Sequence, residues 1–141
     1  TIDHHISAYL VRPDNPLGEG VFESLAELEA EDPEPGYVCF GGPGGESGLQ
    51  IPAQQIGSWV PGQAGGDFPA GSGIKVPPGS KVVLQVHYSL VGAKGASDLS
   101  TIDMKIDDAV EKQAAFAPWL DTWSTATRAI LAASSTSSPA T

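Results

Sequence analysis

Three histidines carry most of the chemistry this chain can offer: the consecutive pair His4 and His5, and His87 far along the sequence. They are its only histidines. Three neutral imidazoles are a sufficient ligand set for copper or zinc, and copper tolerates three-coordinate nitrogen sites. Zinc more often adds a carboxylate or thiolate, or keeps an open water position. The spacing does not choose between the metals. An isolated strand histidine is also commonly an ordinary hydrogen-bonded residue, so that alternative stands beside the ligand reading. Consecutive strand residues point to opposite faces, so His4 and His5 can share one ion only where the backbone bends or at a strand end.

The elements that must position these residues read as short strands. Residues 5–11 form a strand with Tyr9 and Leu10 in its middle, closed by Arg12, Pro13, Asp14, Asn15 and Pro16. Residues 81–90 form the clearest strand. Alternation there sets Val82, Leu84, Val86 and Tyr88 on one face and Val83, Gln85 and His87 on the other. Gln85 thus shares a face with His87, and two readings stand side by side: a position behind the ligands, orienting one of them or a water, and an ordinary exposed strand residue. Tyr88 is expected in the core.

Between these strands, Phe22, Leu25 and Leu28 at helical spacing predict a short connecting helix over residues 21–31, stopped by Asp32 and Pro33. Further strands are expected at 36–40, at 55–60 with Trp59, at 73–76, and at 100–107, where Ile102, Met104 and Ile106 alternate with polar residues. Pro77, Pro78, Gly79 and Ser80 predict a hairpin or corner between 73–76 and 81–90. The run Gly41, Gly42, Pro43, Gly44, Gly45 has the glycine content of a phosphate loop. It lacks the Gly-Lys-Ser/Thr ending and the following helix, so a flexible surface loop is expected. Cys39 reads as a small buried hydrophobe, Met104 as core, and Trp59, Trp119 and Trp123 as packing residues.

Composition bounds the rest. The 141 residues suit one domain able to bury a core without a structural metal, so a metal here is expected to be functional. Seventeen Gly and twelve Pro favour strands and turns over a helical bundle. A net charge of −10 with only seven Lys and Arg argues against nucleic acid and against an anionic membrane surface. Apolar stretches are strand-sized, so no membrane span is expected. The chain opens on Thr1 without a charged-then-apolar leader, which leaves room for a signal peptide or upstream segment. A lone cysteine forms no intrachain disulfide. The acidic, glycine-rich composition leans toward a secreted or periplasmic protein. The fold class expected is all-β, a sandwich over residues 1–122, with residues 123–141 an Ala/Ser/Thr-rich tail or linker that includes one or two helical turns at 125–133.

Five stretches follow one another in a recognisable order: Asp3-His4-His5-Ile6-Ser7-Ala8-Tyr9-Leu10, Gly36-Tyr37-Val38-Cys39-Phe40, Ser58-Trp59-Val60-Pro61-Gly62, Phe68-Pro69-Ala70-Gly71-Ser72-Gly73-Ile74, and Leu84-Gln85-Val86-His87-Tyr88. This series resembles the N-terminal domain of the copper type II, ascorbate-dependent monooxygenases, the family of peptidylglycine α-hydroxylating and dopamine β-monooxygenases. The His-His pair and the Leu-Gln-Val-His-Tyr strand are its specific pieces, and the likeness spans residues 1–121.

The resemblance implies an antiparallel, jelly-roll-like β-sandwich that holds one copper ion on His4, His5 and His87 as an electron-transfer centre. It further implies ascorbate as the external reductant and a second copper-binding β-sandwich downstream, where oxygen is activated and a carbon hydroxylated. That second site uses two His and one Met, for which this chain has no further histidine, so by itself it is expected to be catalytically incomplete and no catalytic residue is assigned. The missing disulfides make it more similar to the bacterial relatives than to the animal enzymes. Two other readings remain: a non-catalytic copper-binding module, and a jelly-roll interaction or carbohydrate-binding domain with incidental histidines. A hydrolase is disfavoured, since no Ser or Cys lies in a nucleophile motif.

Overall fold

The computed structural model describes residues 3–45, 51–89, 91 and 98–114. Five strands and one helix occur among them, in the order β1 (Asp3–Val11), α1 (Val21–Glu31), β2 (Ala53–Trp59), β3 (Ser72–Gly73), β4 (Lys81–Tyr88) and β5 (Lys112–Gln113). The longer strands build an antiparallel sheet in the order β2-β1-β4, and β3 and β5 make a separate two-residue parallel pair. The result is a small β-rich fold with one short helix. The tail at 123–141, Trp119 and Trp123 lie outside the described residues.

The register of β1 against β4 fixes the two faces of the sheet. His5 stands opposite His87, Ser7 opposite Gln85, and Tyr9 opposite Val83. On the reverse face Ile6 pairs with Val86, Ala8 with Leu84, and Leu10 with Val82. This is the division that alternation predicts for β4. Helix α1 covers the first face at its far end, where Val11, Val21 and Leu25 are buried and Phe22, Tyr37, Ile51, Ala53 and Val83 pack around them. The buried Val11, Val21 and Leu25 side chains contribute about 1.5–3 kcal/mol each.

Local chemistry sets the helix ends. Gly20 precedes the first turn in the left-handed region, at φ 72°, where a side chain would be strained. Asp32 is extended because Pro33 excludes a helical conformation before it. The glycine-rich run differs from the flexible loop expected: Pro43, Gly44 and Gly45 are buried, and a Cβ on Gly45 would meet Leu28 Cδ2 at 2.9 Å. The loop is packed on the helix, and its glycines permit the close approach. Tyr37 pins it by donating to the Pro43 carbonyl at 2.7 Å.

Several expected strands do not form. Residues 36–40 are irregular, residues 74–76 lie outside β3, and residues 100–107 pair with no strand among the described residues. Ile102, Met104 and Ile106 are exposed there, so Met104 is not a core residue. Alternation supplies a face, but a strand also needs a neighbour to take up its backbone groups. The turn at Pro77 forms, with Ser80 donating from both N and Oγ to the Pro77 carbonyl. It does not close a hairpin, because β3 pairs with β5 rather than β4. Tyr88, expected in the core, is exposed at the end of β4 and donates to Asp98. Trp59 is half-buried, its indole N–H donating to the Gln63 carbonyl at 3.0 Å.

Candidate metal centre

His4, His5 and His87 converge at the open end of the sheet, where one potential ligand atom from each lies within 4.8 Å of the others. The ring centroids are 5.3 Å apart for His4 and His5, 5.1 Å for His4 and His87, and 4.7 Å for His5 and His87. His4 Nδ1 and His5 Nδ1 approach to 3.1 Å. Two nitrogens bound to one ion at about 2.0–2.1 Å each stand roughly 3.4 Å apart at tetrahedral angles. A small rotation of the side chains brings the trio to the spacing of a first-row ion. Among the described residues, no carboxylate or thiolate joins the cluster.

The means of convergence is a register shift. Asp3 pairs with Tyr88 and His5 with His87, so β1 advances two residues while β4 advances one. His4 is the extra residue of a bulge, and a bulge re-aims a side chain that regular pleating would send to the other face. The bend that a shared ion requires of two consecutive histidines is thus present, and it sits at a strand end as well. His5 and His87 need no such device, because they are direct cross-strand partners on one face.

Electrostatics suit ligation. Partial burial, followed by the nearby His87 and His4 rings, holds the His5 imidazole below its ordinary value of 6.5. A neutral ring is the form that binds a metal. His5 is half-buried, whereas His4 and His87 are exposed, so the site opens to solvent.

Gln85 lies one step further along the same face, and its amide is engaged by two other side chains. Its Oε1 accepts from Tyr9 Oη at 3.4 Å, and its Nε2 donates to Cys39 Sγ at 3.6 Å. Cys39 is half-buried, and this polar contact distinguishes it from the plain hydrophobe expected. Sequence reasoning missed both partners. Tyr9 was reachable, since it shares the parity of His5 and Ser7 on β1. Cys39 was not, because it comes from an irregular segment whose placement no periodicity encodes.

Compared with family models, with curated proteins and with solved structures, the chain finds no match.

Proposed function

We propose that this chain binds one copper ion through His4, His5 and His87 and serves as the electron-transfer half of an ascorbate-dependent copper monooxygenase. The observation that carries the reading is the convergence of the three imidazoles, two of them brought together by the His4 bulge. Three imidazoles suit copper and zinc alike, and it is the family resemblance that selects copper. Copper held there would supply one-electron cycling between Cu(I) and Cu(II). The chain's own contribution is a pre-assembled set of three imidazoles in reach of an external reductant, which the family resemblance implies is ascorbate.

The same reading extends the observed sheet to a jelly-roll-like sandwich and adds a second copper-binding domain, which would activate oxygen. Val82 and Leu84 support the sandwich. They are 36% and 39% exposed on the face opposite α1, beside the buried Ala8 and Leu10, as expected of a sheet that takes a second layer. A secreted or periplasmic location fits the acidic, glycine-rich composition. The exposure of His4 and His87 also favours a second reading, an exchangeable copper carrier, which differs in having no hydroxylating partner.

Copper titration with Cu(II) electron paramagnetic resonance tests the site. One type II signal per chain with nitrogen hyperfine structure, lost or reshaped in His87→Ala, is the expected result. Absence of stoichiometric binding, or binding indifferent to His87, overturns it.

A further inference from the structure

The place where the ligands sit points to a second role for the same site, as a clasp on the start of β1. The pairing of β1 with β2 runs from Val11 opposite Ala53 to Ile6 opposite Trp59 and stops there. Pairing with β4 continues through His5 to Asp3. Among the described residues, the end of the sheet is therefore a two-stranded ribbon, interrupted by the bulge at His4. Two-stranded ribbons are marginal in water unless something packs on them. Here the packed core lies at the other end, around Val11 and Val83.

All three ligands lie on this ribbon, two on β1 and one on β4, and His5 faces His87 directly. An ion bound by them ties the strands together at the point where hydrogen bonding is thinnest. We infer that metal binding at His4, His5 and His87 latches the N-terminal end of β1 onto β4, and that the metal-free ribbon opens locally while the rest of the sheet stays paired. The inference rests on the metal reading of the site. It adds that the ion controls local strand order, because a ligand that binds only the closed ribbon suppresses its opening by mass action.

Amide hydrogen exchange of the full chain, read by mass spectrometry with and without Cu(II), tests this, with stoichiometry measured on the same samples by paramagnetic resonance. At free Cu(II) about 100 times the dissociation constant, exchange at residues 5 and 87–88 is expected to slow about 100-fold. Residues 9–11, flanked by both neighbours, should change little. His87→Ala should abolish the slowing, and His4→Gln, which keeps the bulge residue but weakens the site, should reduce it. One Cu(II) bound per chain with unchanged exchange in the ribbon overturns the clasp and leaves the copper site standing. Equal slowing at residues 9–11 overturns it too, since the metal would then stabilise the whole domain. Failure to bind Cu(II) overturns both readings.

Discussion

The two ends of the central sheet are built from the same strands and do opposite work. At the Val11 end, three strands run side by side and α1 closes over them, leaving Val11 fully buried and Leu25 only 7% exposed. At the His5 end, β2 has stopped, a bulge breaks the ladder, and two of the three imidazoles face solvent. One end holds the packed core and the other gathers the three histidines. The three histidines are held at the rim, while the core that anchors their strands lies elsewhere on the same face.

That division can be broken from either side. Leu25→Ala should cost about 2–5 kcal/mol of folding stability by opening a cavity under α1. In the molecules that remain folded, metal affinity should be unchanged; denaturant melts with parallel metal titration check both. Conversely, His87→Ala should weaken metal binding by at least about 100-fold, beyond what loss of a supporting residue causes. The melting temperature of the metal-free protein should hardly move. Were Leu25→Ala to abolish binding in folded protein, the two ends would be one cooperative unit.

Gly45→Ala tests the core end more gently. It places a side chain at φ 72° and against Leu28, so a loss of about 1–2 kcal/mol is expected in denaturant melts. The smallest effect should come from pH. The folded protein holds His5 below 6.5, so the unfolded chain binds its proton first as the solution is acidified. Stability of the metal-free protein should therefore be full above pH 6.5 and decline as pH falls toward the lowered folded value. His5→Gln should flatten that decline in thermal melts recorded across the window.

Legibility followed the range of the interactions. Helix α1 spans the residues expected, 21–31, because its apolar spacing and the stop at Asp32 and Pro33 are local. The strands β1 and β4 were also legible, since both are runs rich in aliphatic and aromatic residues bounded by turn signals. Residues 36–40 and 100–107 carry a similar strand-like pattern and make no strand. A strand exists only with a partner, and its own side chains do not name one. The β3–β5 pair shows the converse: Ser72 and Gly73 join Lys112 and Gln113 in parallel, which no pattern in either segment announces.

The candidate site divides in the same way. By itself the sequence determined which side chains are available: three imidazoles, no further histidine, and a strand that puts Gln85 and His87 on one face. Tertiary structure decided that His87 lands opposite His5, that an extra residue in β1 swings His4 to join them, and that the amide of Gln85 serves Tyr9 and Cys39. The physical reason is that parity along a strand is a property of one segment. Register between strands is a property of two, fixed by where their apolar faces bury together.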